Sequence, residues 1–301
     1  MLDSNLLRCF LAVLEHRKLT TAAEDLCLTQ PALSKSLRRL EDELGVPLFH
    51  RTPAGMIPTT YGVTLGRRAR LIQLESLSAR TELQLLREGG FGSITVGIGP
   101  LWSVFAMSEV IADLVKHQSK VRVKVISGVL DTLLPQLLKG ELDIVCVALD
   151  FPDHPELVKD YLFDTEHVVV AHENHPLAAI PIVVPEDLLE YPFVGFANDY
   201  AGLERMEKYF AINGAQSPGL SVEANSLEML FSLLETGTFL ASFSAQVLDR
   251  CQQIGLCRIN LAESFWGFKV GAVYRRAPQP SALVGMMLSA LKARFGTHSN
   301  S

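Results

Sequence analysis

At 301 residues, 48% of them hydrophobic, the chain is long enough for two or three domains with cores of their own. The longest strongly apolar piece, Ile144 to Leu149, is only strand-sized, and MLDSNLLRCF has no basic stretch leading into an apolar one; neither a membrane helix nor a signal peptide is expected, and a cytoplasmic protein is predicted. The formal charge of -6 argues against general nucleic-acid affinity, yet the first 90 residues lean basic and the remainder acidic, which suits DNA binding by one end only.

The first helix is predicted from about Ser4 to His16, with Leu6, Phe10 and Val13 on its inner side. A second begins near Thr20 or Thr21, where Thr21 and Glu24 match an S/T-x-x-E cap, and small Ala22 and Ala23 allow close helix approach. In the third, Leu33, Leu37, Leu40 and Leu44 fall on one stripe, while Pro31, Lys35, Arg38 and Asp42 project from the opposite side with Arg39 close by. Thr29 stands at the N-cap, Gln30 and Pro31 fill the first turn, and Gly45 ends the helix. The face carrying Ser34, Lys35 and Arg38 suits the DNA major groove or an ordinary solvated surface, and this window alone does not choose. VPLFHRTPAGMIPTTYG then supplies two short extended pieces around a turn, which read as a wing.

The ordered set AAEDL, LTQPALSKSLRRLEDELGVPLFHRT and TTYG resembles the winged helix-turn-helix of LysR-type transcriptional regulators. The resemblance implies an all-α winged helix-turn-helix head at 1–60, a linker helix at 61–90 and an α/β two-lobed, periplasmic-binding-protein-like effector domain at 91–301. It also implies that Gln30, Pro31, Ser34, Lys35 and Arg38 meet base edges or nearby phosphates, and that Thr29 and Arg51 position the head on the backbone. Pro53 and Ala54 depart from the glycine and basic residue common at the wing tip.

From about Thr60 to Glu88 the pattern is helical. Leu65, Ala69, Ile72, Ser76, Ala79, Leu83 and Leu86 follow an alternating 4,3 spacing, a seam suited to packing on a second copy or on the helix's own domain. The resemblance favours the first, a homodimer, and implies a homotetramer of two dimers.

After Gly92, strands and helices alternate: SITVGIG, a helix from Leu101 to His117, VRVKVISG, a helix at Leu133 to Lys139 capped by Asp131, then the continuously apolar LDIVCVAL of a buried parallel strand. HVVVA follows as a separate strand, then PFVGF, a helix near Gly202 to Asn213, LSVEA, a helix from Ser226 to Thr236, FLASF, FKVGAVYRR and a helix from about Ser281 to Phe295. Two βα units with a late return strand predict lobe one at 91–163 plus 266–301 and lobe two at 164–265. HPLA at 175–178 is similar to a family segment after the first crossover, whereas Phe239 and Ser244 replace the glycine and proline that follow Gly237 in the family's ending.

Ligands of open α/β lobes bind where strand ends meet helix starts. The candidate linings are Pro100, Leu101, Trp102 and Ser103; Ser127, Gly128 and Val129; Phe196 and Asn198; and Asn225 with Ser226. Family members that bind carboxylates often carry Ser or Thr at positions matching Leu101 and Val129, so these apolar residues together with Trp102 predict a small organic effector that is aromatic or weakly polar. The plainer reading of Trp102 and Phe196 is packing between strands and helices. His167, His172 and His175 lack the companions of a metal site and read as structural, so neither metal nor cofactor is expected. Five cysteines without a C-x-x-C suggest reduced thiols; Cys251 and Cys257 are near enough in sequence to form a redox pair, although buried packing is simpler. No G-x-S-x-G elbow or phosphate loop appears. The reading is therefore a regulator acting on double-stranded promoter DNA, with RNA polymerase as a further partner; the alternative is a solute-binding protein or enzyme built on the C-terminal lobes.

Overall fold

The computed structural model describes residues 5–53, 55–87, 92–117, 121–276 and 281–295, apart from the side chains of residues 74, 77, 78, 81, 82, 84–87 and 117. It divides into two units, Met1–Gly90 and Phe91–Ser301.

In the first unit, α1 (Asn5–His16), α2 (Leu19–Asp25) and α3 (Gln30–Leu44) close around Phe10, Val13, Ala22, Ala23, Leu33, Leu37 and Leu40. Each fully buried Leu or Phe contributes about 1.5–3 kcal/mol, so this small core rests on few side chains. Two local expectations fail. Thr21 is no cap, because the Ala22 N–H already bonds the Lys18 carbonyl at 3.1 Å and α2 has begun two residues earlier. Leu44 is 46% exposed, because Gly45 turns left-handed (φ 69°) and ends α3 before its last turn is covered.

β1 (Phe49–Thr52) and β2 (Gly55–Pro58) form the antiparallel wing. The Glu41 carboxylate accepts the Leu48 N–H at 2.7 Å, which ties α3 to the root of that hairpin. Thr59 then caps α4 (Thr60–Arg87): its hydroxyl accepts the Gly62 N–H at 3.1 Å and donates to the Pro47 carbonyl at 2.8 Å. A Cβ at Gly62 would collide with the Leu48 carbonyl, so glycine is what lets α4 start this close.

The second unit runs β3 (Gly92–Ile98), α5 (Pro100–Val104), α6 (Met107–His117), β4 (Val121–Ser127), α7 (Leu130–Lys139), β5 (Ile144–Ala148) and β6 (Leu157–His172). It continues through α8 (Pro185–Leu188), β7 (Phe193–Phe196), α9 (Tyr200–Ile212), β8 (Val222–Ala224), α10 (Leu227–Glu235), β9 (Leu240–Ser244), α11 (Leu248–Gln252), β10 (Leu256–Arg258), β11 (Trp266–Arg275) and α12 (Ala282–Phe295). The strand order is β4-β3-β5-β11-β6-β9-β7-β8, with β10 on the outer part of β6. One lobe is built on parallel β3, β4 and β5, the other on β7, β8 and β9. Antiparallel β6 and β11 run through both.

HVVVA is therefore not a strand of its own but the far end of β6: the strand runs on unbroken from its pairing with β11, which ends at His167, into pairing with β9 and then β10. The register shifts by one residue at Val270/Gly271, where Leu162 is the extra residue of β6, a bulge that bends the strand as it passes from one lobe to the other. The helix expected over Leu101 to His117 is broken at Ala106 (φ 57°) into α5 and α6. Asp131 does not cap α7; the Thr132 hydroxyl takes the Val129 N–H at 3.2 Å, and Asp131 reaches across to the other lobe.

Candidate functional site

Two surfaces carry chemistry. On α3, the buried stripe of Leu33, Leu37 and Leu40 fixes the rotation of the helix and turns Gln30, Pro31, Lys35 and Arg38 outward, with Ser34 at the margin. Thr29 sits at the N-cap, its hydroxyl accepting the Ala32 N–H at a long 3.4 Å. Arg39 is held by Glu43 at 3.0 Å, whereas Lys35 and Arg38 have no ion pair among the described residues. Arg51 is exposed on the wing; Ala54 lies outside the described residues. The result is a row of polar donors along one exposed helix face, the shape and chemistry that enter a major groove.

In the second unit, a cavity of about 680 Å³, counting its open mouth, lies between the lobes. Pro100, Leu101 and Trp102 of α5 line it from one side, with Val129 and Leu130 at the start of α7 and Val147 and Ala148 at the end of β5. Phe196, Asp199, Ala201 and Arg205 face them from the second lobe together with Ser242 and Phe243 of β9, and His167 and Phe268 come from β6 and β11, the strands that run through both. A smaller hollow of about 410 Å³ within the second lobe shares His167, Phe196, Asp199 and Ser242 with it and adds Trp266.

His167 is the centre of this wall. Its ring stacks on Trp266 with centroids 4.5 Å apart, meets Phe268 at 4.9 Å, and places Nδ1 2.7 Å from the Ser242 hydroxyl. The ring is enclosed by protein yet not fully sealed, because it opens onto the cavities. Burial first, and the Arg205 cation second, push its pKa down to about 3, so it is a neutral imidazole at ordinary pH. Arg205 in turn is joined to Asp150 at 2.6 Å. Asp199 caps α9, accepting the Gly202 N–H at 3.1 Å; burial raises its pKa against the lowering effect of that bond and of Arg205. Asp131 accepts the Ala201 N–H at 3.0 Å. Asp131 and Asp150 thus both bridge the lobes.

Of the residues expected in the cleft, Pro100, Leu101, Trp102, Val129 and Phe196 line the cavity. Trp102 is fully enclosed and packs edge-on against Phe163 and Phe295, so most of its ring is core. Ser103, Ser127, Asn198 and Ser226 do not line it. Ser103 turns its hydroxyl to the Pro100 carbonyl at 2.6 Å, Ser226 caps α10, and Ser127 and Asn198 are exposed. The polar lining comes instead from His167, Asp199, Arg205, Ser242 and Ser244. His167 stood out in the sequence only as a structural histidine; its place on a crossing strand was the missed signal. His172 and His175 serve local turns, accepting the Asn174 and Leu177 N–H groups at 3.2 Å each. Burial pushes the Cys251 thiol up to about 12 and raises that of Cys257, which suppresses the reactive thiolate at both.

A winged helix-turn-helix head joined to a two-lobed body with a cavity between its lobes defines a ligand-responsive DNA-binding protein. Residues 4–63 match the model of the bacterial regulatory helix-turn-helix protein, lysR family, and residues 87–296 that of the LysR substrate binding domain. The chain belongs to the LysR family: it is a LysR-type transcriptional regulator with an effector-binding domain. Proteins of this family are transcriptional regulators rather than enzymes. The HTH-type transcriptional regulator CysB of Burkholderia cenocepacia is 27% identical over 229 residues, 75% of this chain and 72% of that one. The dual regulator OxyR of Escherichia coli K12 is 25% identical over 293 residues, covering 97% and 95%. Among solved structures, full-length CbnR complexed with its target DNA shares the fold, with a TM-score of 0.55 at 17% identity over 96% of this chain and 98% of that one. Among the described residues, no helix is long and apolar enough to cross a membrane.

Proposed function

We propose that this regulator reads promoter DNA through α3 and changes that reading when a small organic effector enters the interlobe cavity. The observation that carries the proposal is the exposed face of α3, where Lys35 and Arg38 have no counter-ion among the described residues and stand beside Gln30 and Ser34. Gln30, Ser34, Lys35 and Arg38 meet base edges or adjacent phosphates; Pro31 sets the entry of the helix, and Thr29 and Arg51 position the head on the backbone. The reading is supported by full-length CbnR, a protein of this fold solved in complex with its target DNA.

One head spans few base pairs, so a second copy doubles the site into paired half-sites. On the seam of α4, Ala69 and Ser76 are buried, Leu65 and Ala79 half-buried, and Ile72 and Leu83 exposed at 47% and 62%. The side chain of Leu86 lies outside the described residues. Ile72 and Leu83 are apolar surface that a second α4 would cover, and two such dimers would form the homotetramer. Effector binding then alters the lobes, the spacing of the heads and the recruitment of RNA polymerase.

The test is a binding titration on DNA from the protein's own promoter region at several salt concentrations. Specific binding above the nonspecific background is expected, and loss of one phosphate contact lowers the log–log salt slope by about 0.9. If Arg38→Ala and Lys35→Ala bind that DNA as the parent does, α3 is not the reading helix.

A further inference from the structure

We infer that the interlobe cavity selects an uncharged, ring-bearing effector and disfavours an organic carboxylate. The inference rests on the reading of this cavity as the effector site. Three observations carry it.

First, the wall has no cation to spare. Among the described lining residues the ionisable ones are His167, Asp199 and Arg205. Arg205 already has Asp150 at 2.6 Å, and His167 sits neutral between two aromatic rings with its Nδ1 on Ser242. Asp199 adds a carboxyl group of the chain's own.

Second, the start of α9 is occupied. The N-terminal N–H groups of a helix are a ready place for a ligand anion. Here Asp131 takes the Ala201 N–H at 3.0 Å and Asp199 takes that of Gly202 at 3.1 Å. Across the cavity, the Val129 N–H at the start of α7 is bonded to the Thr132 hydroxyl. A ligand carboxylate would displace one of these groups or give up its hydration without a counter-charge.

Third, the rest of the wall is apolar and rich in rings. Phe196, Phe243 and Phe268 line it with Leu101 and Val147, and the enclosed Trp102 backs the wall, so a flat apolar body finds contact on several sides. The groups left for polar recognition are neutral: the His167 imidazole and the Ser242 and Ser244 hydroxyls. These match an amide, carbonyl or hydroxyl on the ligand.

The probes are benzamide and benzoate, one ring with a neutral or an anionic head, titrated into the full-length protein at pH 7.5. Melting temperature and fluorescence of the two tryptophans, Trp102 and Trp266, report binding. Benzamide is expected to bind at least about tenfold more tightly than benzoate. Asp150→Asn, which leaves Arg205 without its counter-ion, is expected to raise benzoate affinity to that of benzamide or beyond. Ala201→Phe, and independently Val129→Phe, should abolish both by filling the cavity. If benzoate matches or exceeds benzamide in the parent protein and both filling variants lose it, the charge inference is wrong while the site stands. If neither probe binds the parent, or both bind the filled variants unchanged, the cavity is not the effector site and the inference falls with it.

Discussion

The head and the body treat their cations in opposite ways. On α3, Lys35 and Arg38 stand exposed with no acidic partner among the described residues, and only Arg39 is paired. In the interlobe cavity Arg205 is mostly covered, matched by Asp150, and helps to keep His167 neutral. An exposed, unpaired cation can exchange its solvent ions for phosphates at little desolvation cost, so it serves a polyanion. A covered and paired one is internal wiring: it closes the lobes on each other and leaves little charge for a ligand. On the two proposals above, the same residue type serves DNA in one unit and leaves the other to an uncharged ligand.

The largest expected effect breaks the first half of this contrast. Arg38→Ala with Lys35→Ala should weaken operator binding by about 100-fold or more, since each specific contact is worth about 1–3 kcal/mol, while the melting temperature stays put. Fluorescence anisotropy on labelled promoter DNA measures the first and calorimetry the second. Next comes the internal pair. Arg205→Met leaves Asp150 without its partner and should destabilise the effector domain by about 2 kcal/mol, less than for a fully sealed pair because Asp150 is 38% exposed. Adding Asp150→Leu should recover most of that loss in a urea titration; a double variant no more stable than the single one would mean that the pair is incidental.

A smaller effect follows from His167. Unfolded, it takes a proton near 6.5; folded, only near about 3, so between these values the unfolded state holds the extra proton and stability falls as the pH drops. The slope is at most about 1.4 kcal/mol per pH unit. His175, buried and also shifted down, acts in the same sense. His167→Gln should therefore flatten, without abolishing, the decline in melting temperature between pH 7 and 5, and an unchanged decline would show that the ring is solvated. The smallest effect concerns the thiols. With Cys251 at about 12 and Cys257 raised, dilute peroxide should form no Cys251–Cys257 disulfide detectable by mass spectrometry of the peptides.

Much of the head was readable because its information is local. Gln30, Ser34, Lys35 and Arg38 lie within one helix with Thr29 at its N-cap, and the 3.6-residue period that buries Leu33, Leu37 and Leu40 places the others outside. The apolar half of the cavity, Pro100, Leu101, Val129 and Phe196, was readable from the rule that strand ends and helix starts meet at a cleft. The polar half was not. Ser103, Ser127, Asn198 and Ser226 are near the right strand ends but have local partners or face solvent, whereas His167 projects from the crossing strand β6 and Ser242 from β9, inside strands where no local pattern points at a cavity.

The sequence by itself determined the main succession of strands and helices, the buried stripe of α3, the cations opposite it and the change of texture after the linker. These follow from periodicity and charge within a few turns of chain. Only the tertiary structure decided what the body's charges are for. Asp131 meets the Ala201 amide 70 residues away, His167 meets Ser242 across 75, and Asp150 finds Arg205 from the other lobe. Neutralisation at such range depends on how two lobes close around shared strands, and no window of sequence carries that geometry.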